Sequence, residues 1–192
     1  MLEHTYLRPD RVDSSVTTCD DCGLPGAVGS VSGGDRSLCD PCAELAATDL
    51  PVRVSPVGRG DLELLLAWRS NSDIYRHFRQ QSGPLDWDEH VRWFESRPPE
   101  RHDFLVHYSG RRVGVVSVDE MDEVGIYLGD PSARGQGVAA AALNWLCTRF
   151  KERAPLFAEI HENNDASSRL FERCGFGRTG RENGWLQYAY DP

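Results

Sequence analysis

The chain has 192 residues, a formal net charge of −9, and 40% hydrophobic against 27% charged residues. This length suits one full domain with a small appendage, and the composition is that of an ordinary globular protein rather than a disordered or fibrous one. No apolar run approaches the roughly 18 residues of a membrane span, and the first residues lack the apolar core of a secretion signal, so we expect a cytoplasmic protein without membrane association.

The charge is distributed unevenly along the chain. Residues 1–50 hold nine acidic residues against three arginines, which leaves 21 acidic against 18 basic residues for the remainder. Sequence-independent binding of nucleic acid requires clustered Lys and Arg that neutralise phosphates. The balance therefore argues against a nucleic-acid partner and is easier to reconcile with a cationic one.

Residues 1–18 have neither helical nor strand periodicity and are predicted to be an arm. Residues 19–42 then carry two Cys-x-x-Cys pairs separated by 16 residues, which is the spacing of a tetrahedral zinc site. The predicted ligands are Cys19, Cys22, Cys39 and Cys42. So short a segment buries too little apolar surface to fold alone, and Zn²⁺ would supply its folding free energy as a small zinc ribbon.

Other uses of these four cysteines are weaker. Disulfides are disfavoured because nothing suggests export, and a redox pair is disfavoured because no thioredoxin-like strand and helix surround it. Four thiolates leave no coordination position for water, so a structural role is favoured over a catalytic one. The sequence leaves open whether the ribbon docks a protein partner or supports the rest of the chain.

The predicted main domain spans residues 51–192, after a linker at residues 43–50 that carries a short helix. Its first half combines a strand and amphipathic helices with an antiparallel meander. The predicted helices are residues 62–70, 71–79 and 85–97. The predicted strands are residues 51–57, 103–108, 112–118 and 123–128.

The second half opens on a glycine-bearing turn before a helix predicted over residues 134–151. Residues 134–139 read Arg-Gly-Gln-Gly-Val-Ala. Glycines let the free N–H groups at a helix start approach a ligand closely, and these groups and the helix dipole favour an anion such as pyrophosphate. A plain capped turn before a core helix is the alternative. After this helix the sequence predicts a strand over 156–161, a helix that begins at Asn164 and ends at Gly175, and a hairpin.

The pattern Arg-x-x-Gly-x-Ala at residues 134–139 resembles the acyl-CoA pyrophosphate signature of the GNAT superfamily of N-acyltransferases. Residues 156–176, LFAEIHENNDASSRLFERCGF, are similar to the family's second block, and LLAWRSNSDIYRHF and WDEHVRWF are similar to its subgroup of ribosomal-protein and sugar-nucleotide acetyltransferases. The resemblance implies an α+β fold with a mixed, largely antiparallel sheet of six or seven strands flanked by helices, here preceded by the zinc ribbon. It also implies acetyl-CoA, or another acyl-CoA, as cofactor and an amine as acceptor.

Carried onto this sequence, the family's contacts fall on one strand end, the glycine turn and the early helices. The implied acyl-CoA-binding residues are Tyr127, Leu128, Gly129, Arg134, Gly135, Gln136, Gly137, Val138, Ala139, Asn164 and Phe171. The implied substrate-binding residues are Trp68, Asn71, Tyr75, Arg76 and His90, and Arg69 and Trp93 lie in the same segments. The aromatic residues among them also suit the core, and Asn164 also suits a helix cap.

Acetyl transfer to an amine requires a base, because an alkyl amine with a pKa of roughly 10 is mostly protonated at about pH 7. Glu159 and His161 share one face of the predicted strand, and Glu159 aligns with the position of the base in some family members. The alternative is that Glu159 orders water or binds the amine. Many relatives carry a Tyr at Phe171 to protonate the departing thiolate. Tyr127 or water would substitute, or the thiol, with a pKa of roughly 8.5, leaves as its anion.

The predicted catalytic residues are therefore Glu159, His161 and Tyr127. The predicted function is an acetyl-CoA-dependent N-acetyltransferase that moves the acetyl group directly, in a ternary complex, to a primary amine. That amine belongs to a small molecule, such as an aminosugar or sugar nucleotide, or to a protein. Phe171 leaves one alternative open, a catalytically weak or inactive acyl-CoA-binding module that the ribbon tethers to a protein complex.

Overall fold

The computed structural model describes residues 17–27 and 36–192. Most of the predicted N-terminal arm, and residues 28–35 between the two cysteine pairs, lie outside this described part. Within it, no helix is both long enough and apolar enough to cross a bilayer.

Six helices and seven strands make up the described part of the chain. The helices are α1 (Asp40–Ala46), α2 (Leu62–Arg69), α3 (Ser72–Tyr75), α4 (Trp87–Glu95), α5 (Val138–Arg149) and α6 (Asp165–Arg173). The strands are β1 (Val52–Pro56), β2 (His102–Tyr108), β3 (Arg111–Val118), β4 (Val124–Leu128), β5 (Leu156–His161), β6 (Gly177–Glu182) and β7 (Trp185–Tyr190). The mixture of elements confirms the predicted α+β class.

The strands form two antiparallel sheets. One sheet has the order β1-β2-β3-β4 and the other has the order β5-β7-β6. They meet at a single parallel bridge between Glu123 and Phe157, where the Phe157 N–H donates to the carbonyl of Asp122 over 2.9 Å. Past this bridge β4 and β5 share no ladder among the described residues. The two sheets therefore separate between these neighbouring strands, and we call this gap the split.

Helices cover both faces of the strands, because many strand residues on each face are apolar. The larger core lies on the α1, α5 and α6 side and includes Val116, Leu143 and Ile160. The smaller core lies on the α2 and α4 side and includes Leu65 and Val115. Adjacent residues such as Val115 and Val116 serve opposite cores because side chains alternate across a strand.

The described part of the ribbon packs on α5 and β1 and shares the larger core. The Trp145 indole of α5 donates from Nε1 to Cys42 Sγ over 3.2 Å. Asp21, which is 3% exposed, accepts from Arg36 at 2.8 Å and from Arg53 of β1 at 2.7 Å. The ribbon is therefore joined to the main domain by packing, hydrogen bonds and an ion pair.

Three predicted helices differ from the observed ones by several residues at their ends. The helix predicted over residues 71–79 spans only Ser72–Tyr75. The helix predicted from residue 134 begins at Val138, because Gly135 and Gly137 take left-handed φ values of +73° and +82° that do not continue a right-handed helix. The helix predicted over residues 43–50 instead begins at Asp40, with a proline in its first turn, where a missing N–H costs nothing.

Candidate active site and metal centre

The split between β4 and β5 forms the candidate active site. Leu156, Ala158 and Ile160 of β5 are buried in the larger core, so Glu159 lies on the opposite face with Phe157 and His161. Tyr127 of β4 packs in the smaller core. Tyr127 and Glu159 therefore lie on the same side of the two sheets, one on each strand of the split.

The glycine turn before α5 is open to solvent. Residues 134–137 are exposed, whereas Val138 is buried and starts the helix. Gly137 is the N-cap and supplies no side-chain hydrogen bond, so no cap occupies the first amides of α5. A Cβ on Gly135 would meet no atom within 4 Å. The turn thus has the free amides and the space that a diphosphate requires.

Gly129, directly after β4, is in close contact with the indole of Trp68. A Cβ at this glycine would lie 2.1 Å from Trp68 Cδ2, so only glycine fits. The same indole meets the Tyr127 ring edge to face, with centroids 6.4 Å apart. Trp68, a predicted substrate-binding residue, thus packs against the end of β4.

The Tyr127 hydroxyl is buried and has no hydrogen-bond partner among the described residues. Burial raises the pKa of Tyr127, so the phenol stays protonated at neutral pH. A buried donor without a partner is costly unless water or a ligand satisfies it. Tyr127 therefore offers one O–H donor on the acceptor side of the split.

Glu159 is held by an arginine that the sequence did not single out. Arg79, in the segment between α3 and α4, donates from Nη1 to Glu159 Oε2. The carboxylate raises the pKa of Arg79 by hydrogen bonding and by its charge. The Arg79 guanidinium also lies 6.0 Å from the centroid of the Trp185 ring. The carboxylate of Glu159 is thus already paired with a cation.

Arg79 and Trp185 gave no sequence signal for this role, because Arg79 lies in an irregular segment and Trp185 reads as a hairpin residue. His161, the second base candidate, meets the Trp185 ring edge-on at 5.2 Å, and its Nδ1 accepts from the backbone N–H of Asn163 at 3.2 Å. Strand β7, which pairs with β5 from His161 to Leu156, brings Trp185 to this place.

The predicted residues of α6 serve the helix and the core. Asn164 caps α6, with its Oδ1 accepting from the N–H of Ser167 at 3.2 Å. Phe171 is 3% exposed and packs against Phe176 with ring centroids 4.9 Å apart. Gly175 has a φ of +91° and ends the helix as predicted.

The remaining substrate-binding candidates lie in several environments. Asn71 caps α3, accepting from the N–H of Asp73 at 2.9 Å, and Arg76 is exposed and pairs with Asp73 at 3.5 Å. Tyr75 is partly buried at the end of α3. His90 is 2% exposed, and both its ring nitrogens lack a hydrogen-bond partner among the described residues. The structure thus separates the exposed Asn71 and Arg76 from the buried His90.

The four predicted metal ligands lie together, as the spacing indicated. Their sulfur atoms all lie within 4.8 Å of one another, and all four side chains are buried. Cys22 Sγ and Cys39 Sγ are 3.7 Å apart, which fits the edge of about 3.8 Å that a tetrahedron with Zn–S bonds of about 2.3 Å requires. All four cysteines are free of disulfide bonds. A hydrogen bond from Cys42 lowers the pKa of Cys22 to about 5, which favours a thiolate.

Comparisons with known proteins agree with this geometry. The model of a family described as an acetyltransferase (GNAT) domain matches residues 52–177. An uncharacterized protein of Methanocaldococcus jannaschii is 37% identical over an alignment of 152 residues, and the match covers 72% of this chain and 31% of the relative. The chain therefore spans about a third of the length of the curated relative that it matches.

Solved structures share the fold. A domain from Methanocaldococcus jannaschii aligns with a TM-score of 0.69 and 32% identity over 75% of this chain and 100% of that one. Spermidine N-acetyltransferase from Vibrio cholerae, solved with CoA and spermine, aligns with a TM-score of 0.63 and 17% identity over 72% of this chain and 93% of that one. The family match covers most of the chain and agrees with both alignments, and the chain therefore belongs to the GNAT acetyltransferase family.

Proposed function

We propose that this protein is an acetyl-CoA-dependent N-acetyltransferase that transfers the acetyl group directly to a primary amine in a ternary complex. The observation that carries the proposal is the split between β4 and β5, with Glu159 and Tyr127 on the same side of it. The uncapped start of α5 follows β4 after residues 129–137, and α5 contacts β4, so a helix start suited to an anion lies near one end of the split. These two features suit a ligand with a diphosphate and a long arm.

The residues of the glycine turn fit acyl-CoA. The amides of Gly137, Val138 and Ala139 would bind its pyrophosphate, with Arg134 as an exposed cation nearby. The backbone of Tyr127, Leu128 and Gly129, on the side of β4 that faces β5 rather than β3, would hydrogen-bond its arm. Acetyl-CoA supplies a thioester carbonyl that accepts the amine nitrogen and a thiolate that leaves.

Glu159 would take the proton that the amine loses, directly or through water, because the attacking nitrogen must be neutral. Its ion pair with Arg79 must open first, because the guanidinium lies against the carboxylate oxygen that the amine or a water molecule would approach. Tyr127, protonated and without a partner, would donate a hydrogen bond or a proton to the departing sulfur. His161 is the second candidate for the base.

The acceptor is a primary amine of a small molecule, such as an aminosugar or a sugar nucleotide, or of a protein. An acidic side chain in a cleft attracts an ammonium group, and the Vibrio cholerae enzyme named above acts on an amine. We assign the domain to residues 51–192 and the ribbon to residues 19–42, joined by a linker at 43–50. The ribbon remains a candidate surface for a protein partner.

The test is thiol release from acetyl-CoA over a panel of primary amines. Replacement of Glu159 by Gln keeps the side-chain shape but cannot accept a proton, so it should lower kcat by about 10²–10⁴-fold. Glu152→Gln, a change at an exposed position on the loop before β5, should leave kcat unchanged. Undiminished turnover in Glu159→Gln would remove this base from the mechanism.

The alternative, an inactive acyl-CoA-binding module, rests on Phe171, which cannot donate a proton. It predicts CoA binding without turnover on any amine. CoA binding is measured by the rise in melting temperature, with Arg134→Gln as the variant that should weaken it. Turnover on a single amine would reject the module.

We also propose that Cys19, Cys22, Cys39 and Cys42 bind one structural Zn²⁺. Four sulfur ligands close the coordination sphere, so the metal would stabilise the fold and take no part in the reaction. One zinc per chain should be found by elemental analysis and lost in Cys39→Ser. Cys174→Ser, at a buried cysteine outside the cluster, should retain it. A wild-type protein that is equally stable with and without zinc would contradict the proposal.

A further inference from the structure

Arg69, at the end of α2, is a cation without a carboxylate partner among the described residues. Its guanidinium lies between two aromatic rings, 5.3 Å from the centroid of Phe78 and 5.5 Å from that of Trp93. Its Nε is buried and has no hydrogen-bond partner in the part of the chain that the structure describes. A partly buried cation in this state is costly unless an anion or water completes it.

The position of Arg69 is fixed by Gln81. The Arg69 Nη2 donates to Gln81 Oε1 at 3.2 Å, and Gln81 Nε2 donates back to the Arg69 carbonyl at 2.7 Å and to the Gly83 carbonyl at 2.9 Å. The two rings and this amide hold the guanidinium in one place. It is therefore preorganised, and a ligand would bind it without ordering a mobile side chain.

Two further polar groups without partners meet the same rings. The Tyr127 ring contacts Phe78 edge to face at 5.7 Å, and its hydroxyl is unpartnered. His90, 2% exposed, stacks on Trp93 at 5.6 Å, and both its nitrogens are unpartnered. Three unsatisfied side chains thus surround one pair of aromatic rings.

The neighbourhood also has an excess of positive charge. Arg97 and Arg101 lie 5.8 Å and 5.2 Å from the Trp93 centroid. They share a single carboxylate, Asp103, at 2.5 Å and 3.1 Å. Arg69 adds a third positive charge, so three arginines face one acid. Such an excess favours an anion over a neutral or cationic group.

We propose that Arg69, Tyr127 and His90 form an anion subsite of the acceptor pocket, which binds a phosphate or carboxylate group carried by the amine substrate. The inference rests on the acetyltransferase function proposed above and deepens it. The acceptor would then carry an amine, which Glu159 receives on β5, and an anionic group, which Arg69 receives under α2. The guanidinium fork and the Tyr127 hydroxyl supply the donors that an oxyanion requires. With this hydroxyl bound to the anion, the thiolate of CoA would leave as its anion or take a proton from water.

The test is anion binding by the protein saturated with CoA, so that the glycine turn is already occupied. Melting curves are recorded with inorganic phosphate and with succinate, which separate a phosphate from a carboxylate preference. At least one of these anions should stabilise the wild type, and its apparent affinity should fall by on the order of tenfold or more in Arg69→Gln. Arg92→Gln, at an exposed arginine beside Trp93 on α4, should bind it like the wild type.

Tyr127→Phe is the second variant, because it removes only the hydroxyl and should fold even if Arg69→Gln does not. It should lower the apparent affinity of the same anion, as Arg69→Gln does. Equal anion binding in the wild type and both variants would overturn the subsite, as would a CoA-bound wild type that neither anion stabilises. If CoA itself gave no stabilisation of the wild type, the proposed function would fail together with the subsite.

Discussion

Replacing Trp145 by Phe tests whether α5 and the cysteine cluster are joined as the structure describes. The change removes the Nε1–H that donates to Cys42 Sγ over 3.2 Å. It also replaces an indole whose side chain is 3% exposed by a smaller phenyl ring. A hydrogen bond to a charged acceptor contributes about 1.5–3 kcal/mol, and the smaller ring adds about 1 kcal/mol through imperfect packing against Phe104. We expect the free energy of unfolding to fall by about 2.5–4 kcal/mol.

The assay is urea unfolding of the zinc-loaded protein, followed by tryptophan fluorescence and circular dichroism. Trp87→Phe is the matched control, because this tryptophan is 42% exposed, and it should change stability by about 0.5 kcal/mol or less. A second comparison uses the metal-free protein, in which a protonated thiol accepts the hydrogen bond less well, so the cost of Trp145→Phe should be smaller. Equal costs for Trp145→Phe and Trp87→Phe would refute the hydrogen bond and the packing together.

Three further predictions concern the site and its support. Gly129→Ala places a Cβ 2.1 Å from Trp68 Cδ2 and should destabilise the protein by about 1–3 kcal/mol in thermal unfolding, whereas Gly60→Ala, with no atom within 4 Å, should cost less than about 1 kcal/mol. Arg79→Gln removes a partly exposed ion pair and frees Glu159, so kcat/KM for the amine should rise by up to about fivefold; a fall would mean that Arg79 binds the acceptor. In the folded protein, burial lowers the pKa of four histidines. As the pH falls through about 6.5, the unfolded chain therefore binds protons before the folded protein does. Stability should therefore be lost from about pH 7 downwards, by at most about 1.4 kcal/mol per histidine per pH unit, and a flat urea midpoint between pH 7 and 5 would contradict this. The histidines are His77, His90, His102 and His107.

Local features of this fold were accessible to sequence reasoning because their causes are local. The caps at Asp86 and Asn164 follow from side chains that accept amide hydrogen bonds three residues on. The clustering of the four cysteines follows from their spacing, which is that of two Cys-x-x-Cys pairs around one zinc ion. The glycine turn was placed correctly, although the start of α5 was predicted four residues early because the left-handed conformations at Gly135 and Gly137 were not anticipated.

Features that depend on distant residues were not accessible. Arg79 and Glu159 are 80 positions apart and meet only because the α3–α4 segment lies over β5. His90 was predicted to contact substrate, yet nothing in its helical spacing revealed how deeply it is buried. Cys42 and Trp145, 103 positions apart, meet because the ribbon packs on α5. In each case the tertiary arrangement, rather than any local propensity, decides the partner.

The split between the sheets has a consequence for how the protein behaves without its ligand. One edge of β4 and one edge of β5 carry backbone groups with no ladder partner past Glu123 and Phe157. Unpaired edges are templates on which strands of other chains can add. A bound pantetheine arm would shield these edges much as an extra strand does, so protein stripped of CoA should self-associate more readily on storage than the loaded form.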